Sequence, residues 1–375
     1  WGPLHAHHHW GESIFGYYLP DDEGVLRKHA KMLADTGIDV VIFDVTNQIT
    51  YRQWYRALLR VWSEMRALGN RTPQVAFLTP FWDPPKVVRE LWRDLYAPGL
   101  ARELWFEWEG KPLILADPDL ISDRGENAKQ NTPVPIEPGH TLAQSLRVER
   151  PIHAVSGRFP TWGATNSAVT LTLRRDGPEG ERVASRRFER VEDNAWLLLA
   201  LPSPQPPGSY WFEASEPEGR IGWWSHTDDT VPDGKALADG QPVSGDRTLR
   251  FVHADGEAAR IREFFTFRKP QPDYFQGPTR PDMWSWLEVY PQHVFPNARG
   301  EKEQMSVGVG QNAVGNRLAT MSEPGARGRS FHRGAPDSRA DAVRWGFNVA
   351  EQWERALLED PRFVFITGWN EWIAG

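Results

Sequence analysis

The chain has 375 residues, with 43 Lys and Arg against 50 Asp and Glu, and it contains no cysteine. A formal net charge of −7 without a long basic run argues against a nucleic-acid partner, and no apolar stretch is long enough to cross a bilayer. Disulfides and thiolate metal sites are excluded, and the length suits one large α/β domain, alone or with a smaller second domain.

The first segment that carries chemistry is HAHHHWGE, residues 5 to 12. Adjacent histidines diverge in a strand or loop, whereas a metal ion needs ligands that converge on one point, so we expect no metal and no cofactor here. We expect instead a polar loop in which His8 and His9 donate to sugar hydroxyls and Trp10 stacks on a sugar ring. A zinc site and an ordinary surface loop are the alternatives.

Three helix-then-strand units follow in chain order. Apolar residues recur at helical spacing and are followed each time by a β-branched or aromatic run. The predicted pairs are helix 23–36 with strand 38–47, helix 51–68 with strand 74–83, and helix 84–96 with strand 111–119. This alternation predicts an α/β fold with parallel strands.

The helical period is lost from residue 134 to residue 255. Short alternating runs such as VTLTLRR and AWLLLAL are separated there by turns rich in Gly, Pro and Asp. The stretch predicts an antiparallel β-sandwich inserted in a loop of a main domain formed by residues 1–133 and 256–375. Within it, the pair Trp223 and Trp224 is expected to be exposed.

The last part of the chain again predicts strands of a parallel sheet, in IREFFTFRKP, DMWSWLEVY, EQMSVGVGQN and RFVFITGWNE, with helix 338–358 before the last. These make seven strands, and an eighth would be SIFGYYL or lie before Trp1. The predicted fold is therefore a (β/α)₈ TIM-type barrel with an inserted jelly-roll-like β-sandwich, and a doubly wound open sheet is the alternative.

In a barrel, functional groups lie at the carboxyl ends of the strands. Asp44 and Glu288 lie within runs whose neighbours face the core, so both are candidate catalytic carboxylates that point into the mouth. Asp83, before two prolines and a helix, is expected to cap that helix, and Asp117 is expected to form a turn.

The segment GWNEW, residues 368 to 372, contains the strongest catalytic candidate, Glu371. Enclosure by two indoles disfavours the charged carboxylate, so Glu371 should have a raised pKa while Glu288 or Asp44 stays ionised across the mouth. A solvated surface turn is the alternative. The chain holds 19 Trp, whose flat faces suit sugar rings. The full set of expected substrate-binding residues is His8, His9, Trp10, Asn47, Trp82, Trp284, Gln311, Trp369, Asn370 and Trp372.

GWNEW, HHHWG, the first helix and IDVVIFDVTN together resemble glycoside hydrolase families 99 and 71, the endo-α-mannosidase and α-1,3-glucanase group. They also resemble domains found beside polysaccharide glycosyltransferases. The resemblance implies a barrel fold, a carbohydrate substrate and a role for Glu371. The family pattern continues to a second Glu, where this chain has Ala374, so mechanism and mannoside specificity are not carried over. The sandwich segments resemble accessory carbohydrate-binding jelly rolls.

The function expected from these patterns is hydrolysis of glycosidic bonds in a polysaccharide or oligosaccharide by a carboxylate pair, Glu371 with Glu288 or Asp44. A non-catalytic carbohydrate-binding protein and a polysaccharide-assembly domain are the alternatives. The expected partner is the carbohydrate substrate, without nucleic acid or membrane, and the sequence does not define an oligomeric state. Because the chain lacks cysteine, a secreted or periplasmic location is favoured over the cytoplasm.

Overall fold

The computed structural model describes residues 13–123, 132–320, 323–328 and 330–368. The chain divides into two compact units. The first comprises Trp1–Asp117 and Thr266–Gly375, and the second comprises Pro118–Phe265. The segment in which the sequence predicts a β-sandwich, 134–255, lies within the second unit.

The helices form where apolar residues recur every three or four positions. Asp22 begins the first helix, because its side chain accepts a hydrogen bond from the backbone N–H of Val25 at 3.1 Å. The third helix continues into a π-helical turn, Trp92–Tyr96. The described residues contain α1 (Glu23–Asp35), α2 (Arg52–Ala67), α3 (Pro85–Leu91), α4 (Glu257–Phe264) and α5 (Phe347–Glu359).

Most of the regular structure is extended. The strands that precede the second unit are β1 (Val40–Asp44), β2 (Gln74–Leu78), β3 (Glu107–Trp108) and β4 (Lys111–Leu115). The second unit holds β5 (Thr132–Pro135), β6 (Leu142–Val148), β7 (Ile152–Phe159), β8 (Ala168–Arg175), β9 (Arg182–Phe188), β10 (Ala195–Gln205), β11 (Gly208–Glu218), β12 (Gly222–His226), β13 (Lys235–Ala238), β14 (Gln241–Val243), β15 (Asp246–Arg247) and β16 (Arg250–His253). The strands that follow are β17 (Thr266–Gln271), β18 (Met283–Ser285), β19 (Phe295–Pro296), β20 (Lys302–Gly308), β21 (Ala313–Val314), β22 (Arg317–Leu318), β23 (Phe331–His332), β24 (Ala335–Pro336) and β25 (Phe363–Thr367).

The first unit contains a parallel run of five strands in the order β1, β2, β4, β17, β18, with β3 antiparallel to β4. A separate three-stranded sheet has the order β19, β20, β25, in which β20 and β25 are parallel. Side-chain hydrogen bonds join the two sheets. Gln304 on β20 accepts from the backbone N–H of Ser285 on β18 at 2.9 Å, and its amide donates back to the Ser285 carbonyl at 3.1 Å.

The prediction of a TIM-type barrel, and with it of an alternating α/β fold class, is wrong. The structure is 36% strand and 21% helix, with several small antiparallel sheets, and the alternation does not persist. In a barrel β18 and β20 would be parallel neighbours, and parallel neighbours need a long crossover, usually a helix. The described segment between them holds only β19. The run DMWSWLEVY yields just the three residues of β18, because Asp282 adopts a left-handed backbone with φ +62° and the chain turns after Ser285.

The second unit is antiparallel. Its largest sheet has the order β14, β13, β6, β11, β8, β9, and two three-stranded sheets have the orders β10, β7, β16 and β15, β12, β5. Side chains from the three sheets share one apolar core, in which Phe159 and Phe212 pack against Trp223 at ring distances of 5.2 and 5.3 Å. Trp223 is thus fully buried, which corrects the expectation that it is exposed.

None of the described helices is long and apolar enough to span a bilayer.

Candidate functional site

Glu288 is a buried acidic residue that lies shortly after the carboxyl end of β18. None of its surface is exposed. Its Oε2 accepts a hydrogen bond from the backbone N–H of His293 at 3.0 Å and lies 2.5 Å from Nδ1 of the same residue. Its Oε1 is buried and has no hydrogen-bond partner among the described residues. One oxygen of this acid is therefore anchored, and the other is left without a donor.

Burial disfavours the charged form of Glu288. Burial raises the pKa of the Glu288 carboxyl above its ordinary value, the two hydrogen bonds from His293 lower it in part, and the nearby charge of Asp273 raises it further. The sequence predicts a raised pKa for Glu371, which lies outside the described residues, and an ionised Glu288 or Asp44. The structure adds a raised pKa at Glu288, because its carboxyl is fully enclosed.

His293 connects this buried acid to the surface. Its side chain is 46% exposed, while Glu288 is fully buried. Gly277 lies against the ring, since a Cβ at that position would be 2.7 Å from His293 Cγ, and its backbone has φ +69°, which favours glycine. The Gln271 amide donates to the Gly277 carbonyl at 3.0 Å and holds this close approach in place.

Gln311, an expected substrate-binding residue, is hydrogen-bonded to the loop 288–293, which carries Glu288 and His293. It is fully buried, its Oε1 accepts from the backbone N–H of Tyr290 at 2.8 Å, and its Nε2 has no partner among the described residues. Gln292 is also fully buried and donates to the Ser306 carbonyl at 3.0 Å. The loop 288–293 is thus fixed by buried amides on both sides of Pro291.

Asp44, Asn47 and Trp82 lie at the other end of the parallel run. Asp44 Oδ1 accepts from the backbone N–H and the hydroxyl of Thr46 at 2.9 and 2.7 Å, and the Asn47 amide donates to the Tyr51 hydroxyl at 2.5 Å. Trp82 is 77% exposed. Because β2, β4 and β17 lie between β1 and β18, the sheet does not bring Asp44 and Glu288 together. Four strand spacings amount to about 19 Å along the sheet.

Trp284 lies in the core of the first unit, where no ring face is available to a sugar. It is fully buried, and its Nε1 donates to Glu303 Oε2 at 2.9 Å. Glu303 also accepts from the indole of Trp108 at 2.8 Å and makes an ion pair with Arg268 at 2.7 Å. The structure therefore gives Trp284 a packing role instead of the predicted stacking role.

The remaining predicted site residues, which belong to the two ends of the chain, lie outside the described residues. They are His8, His9, Trp10, Trp369, Asn370, Glu371 and Trp372.

Two residues of this site were missed by sequence reasoning. Asp273 is separated from the end of β17 by Pro272 alone, so the strand-end rule that selected Asp44 could have found it. His293 gives no such signal, because its contact with Glu288 depends on how the loop 288–293 turns back on itself. In the described ranges, no group of three or more His, Cys, Asp or Glu side chains is arranged to hold a metal ion.

No family model and no curated protein matches this chain. Among solved structures, it is similar to a chain of the structure of infectious bursal disease virus Gt strain, at 14% identity and a TM-score of 0.17. That likeness covers 36% of this chain and 31% of the viral chain, so the protein spans about a third of the viral chain's length. A likeness of this size carries no inference about fold or function. These results supply no support for hydrolase or carbohydrate activity.

Proposed function

We propose that the first unit hydrolyses glycosidic bonds in a polysaccharide or oligosaccharide by acid–base catalysis, with the Glu288 and His293 pair carrying the proton. The observation that carries this proposal is the buried Glu288 carboxyl, anchored through Oε2 to a half-exposed imidazole. A buried carboxyl with a perturbed pKa, joined to a histidine that reaches solvent, is a candidate for acid–base catalysis.

Glycoside cleavage needs one group that protonates the leaving oxygen and a carboxylate that activates water. The Glu288 and His293 pair fits the first role, because burial raises the pKa of its acid and its imidazole reaches solvent. Asp273 fits the second role, since it is exposed and close enough for its charge to act on Glu288. In the sequence, Glu371 within GWNEW is a further candidate for this carboxylate.

Support for a carbohydrate substrate comes from the resemblance of GWNEW and HHHWG to glycoside hydrolase families 99 and 71, and from Trp82. This indole is 77% exposed and follows the carboxyl end of β2, in the same parallel run as β18. An exposed indole offers the flat apolar face that stacks on a sugar ring. Several strand spacings separate it from Glu288, which suits a substrate longer than one sugar.

A second candidate function is glycan binding without catalysis. The observation that favours it is the complete burial of Glu288 Oε1, which a substrate cannot touch in this conformation. In that case Trp82 would supply binding, and the buried acid would only orient His293.

The test is release of reducing sugar from a panel of soluble glycans by the purified chain and by Glu288→Gln. We expect the wild type to cleave at least one glycan and the variant to lose a factor of up to about 10² in turnover. Glu149→Gln, at an exposed carboxylate of the second unit, is the matched control and should cleave normally. Binding without cleavage by the wild type would favour the non-catalytic alternative. Normal turnover in Glu288→Gln would remove Glu288 from the mechanism.

A further inference from the structure

We infer that His293 is the catalytic residue of this site, exchanging a proton with the bound substrate through Nε2, and that Glu288 is its positioning residue. This inference deepens the proposed function and rests on it. Sequence reasoning placed Glu288 itself against the substrate, so the structure reverses the roles within the pair.

Exposure decides which member of the pair can touch a substrate. The side chain of His293 is 46% exposed, and that of Glu288 is fully buried. A proton donor must come within hydrogen-bond reach of the oxygen that it protonates. Of the two, only the imidazole meets that condition in this structure.

The hydrogen bonds define the orientation of the ring. The backbone N–H of His293 donates to Glu288 Oε2 at 3.0 Å, so this oxygen acts as an acceptor, and Nδ1 lies 2.5 Å from it. An acceptor in that position holds the Nδ1 proton and leaves Nε2 to exchange its own. Gly277 then restricts the ring on one face, because no Cβ fits against it.

Asp273, Arg327 and Arg355 are charged residues that bear on this site. The charge of Asp273, on the loop after β17, acts on Glu288. Arg327 donates to the Tyr290 carbonyl at 3.2 Å, and Arg355 on α5 donates to the Gln292 carbonyl at 2.8 Å, so both cations are bonded to the backbone of the loop that carries His293. Asp273 is exposed, its Oδ1 accepts from the backbone N–H groups of Phe275 and Gln276 at 2.8 and 3.2 Å, and this turn leads to Gly277, which lies against the imidazole. We therefore assign to Asp273 the role of the carboxylate that shares the reaction with His293.

The reaction balances with these groups and water. Protonated His293 gives its Nε2 proton to the glycosidic oxygen as the bond from that oxygen to the anomeric carbon breaks. Water attacks the anomeric carbon and loses a proton to the Asp273 carboxylate. Asp273 then releases that proton to solvent and His293 takes one up, so that glycoside and water become two sugars.

The kinetic test compares His293→Gln with Glu288→Gln on a glycan that the wild type cleaves. We expect His293→Gln to lower kcat by a factor of about 10² to 10⁴ with KM unchanged. Glu288→Gln should lower kcat by less than His293→Gln does, because an amide oxygen can still accept from the ring but an amide no longer selects one tautomer of the imidazole. His140→Gln is the matched control, because His140 Nδ1 lies 2.7 Å from Asp239 on the second unit. Its kcat should equal that of the wild type.

A second measurement does not depend on activity. Ring ¹⁵N shifts of His293 at high pH should show the proton on Nδ1 in the wild type and a mixture of tautomers in Glu288→Gln. A proton on Nε2 in the wild type, or a larger loss of kcat in Glu288→Gln than in His293→Gln, would overturn the assignment. A wild type that cleaves no glycan but shows the Nδ1 proton would contradict the proposed hydrolysis, and the orienting role of Glu288 would stand.

Discussion

The ion pair between Glu303 and Arg268 should be a major source of stability in the first unit, and Glu303→Gln is the change that tests it. Neither residue is solvated, with Glu303 side-chain exposure of 0% and Arg268 side-chain exposure of 5%. Arg268 donates to both carboxylate oxygens, at 2.7 and 2.8 Å, and the indoles of Trp108 and Trp284 donate one bond each. Four N–H groups therefore depend on one carboxylate.

The expected loss can be worked from those four donors. A Gln side chain has one acceptor oxygen with two lone pairs, so two of the donors lose their partner and face an NH₂ group. Each unsatisfied buried donor costs about 1 to 3 kcal/mol, and removal of one member of a buried ion pair typically costs about 3 to 5 kcal/mol. We expect Glu303→Gln to lower the free energy of unfolding by about 3 to 5 kcal/mol at pH 7.

The same pair predicts a pH dependence. Burial alone would raise the pKa of Glu303, but the hydrogen bonds from Arg268, Trp284 and Trp108 outweigh it and hold the pKa below its ordinary value. A lowered folded-state pKa contributes stability that is complete above the unfolded value of about 4.3 and is lost as pH falls through the folded value. Glu303→Gln should therefore lose less stability than the wild type when the solution is acidified below about pH 4.3.

Urea unfolding followed by circular dichroism, at several pH values, measures both effects. Glu301→Gln is the control, because Glu301 lies two residues away in an exposed ion pair and its loss should change unfolding little. Replacing both members, as Arg268→Met with Glu303→Leu, should cost less than Glu303→Gln alone, since no buried charge remains. A Glu303→Gln variant within about 1 kcal/mol of the wild type would refute this account of the pair.

Three further outcomes follow from single residues. Trp82→Ala should leave unfolding unchanged within about 0.5 kcal/mol and weaken glycan retardation in affinity electrophoresis, so unchanged retardation would exclude Trp82 as a sugar platform. Asp246→Ala should destabilise the second unit by about 3 kcal/mol in thermal unfolding, because the buried Asp246 accepts from two backbone N–H groups and from Gln144. Asp255→Ala, at an exposed ion pair, is its control and should leave the unfolding temperature nearly unchanged. The folded-state pKa of Glu288 is raised, so the stability that Glu288 contributes is complete below its unfolded-state pKa of about 4.3 and declines as pH rises through its folded-state pKa. Glu288→Gln should therefore reduce this decline in the free energy of unfolding, measured by urea unfolding at several pH values. An unchanged dependence of the free energy of unfolding on pH would contradict the burial of Glu288.

The periodic segments of the first unit could be predicted from the sequence. Helices 23–36 and 51–68 and the strands that follow them correspond to α1, β1, α2 and β2, because an amphipathic stripe or a β-branched run specifies local structure directly. That these strands form a parallel run of five, and not a closed barrel, could not be predicted. Aromatic runs such as SIFGYYL and DMWSWLEVY have strand composition, but they form a turn and a short strand, since composition does not specify where a sheet continues.

The candidate site, like the fold, could be predicted from the sequence only in part. Glu288 could be found, because it follows an apolar run at the end of a strand. The pKa shift of Glu288 and the role of His293 depend on burial and on the six-residue loop 288–293, and neither is encoded in a periodic pattern. Trp284 was predicted to bind sugar but is a core residue. An indole near a strand end suits a stacking platform and a packed core equally well, and its bond to the buried Glu303 distinguishes the two.

The junction between β18 and β20 has a consequence for how this chain can diverge during evolution. Strands in one sheet pair through backbone groups that almost every amino acid supplies, so most substitutions leave the pairing intact. At this junction side chains supply the bonds instead: Gln304 bonds to the backbone of Ser285 and accepts from its hydroxyl at 3.1 Å, and Glu303 accepts from Trp284 and Arg268. Inheritance of the arrangement therefore depends on residue identity. In homologous sequences we expect positions 268 and 303, and positions 285 and 304, to change together, and we expect lineages that have lost both pairs to arrange the two sheets differently.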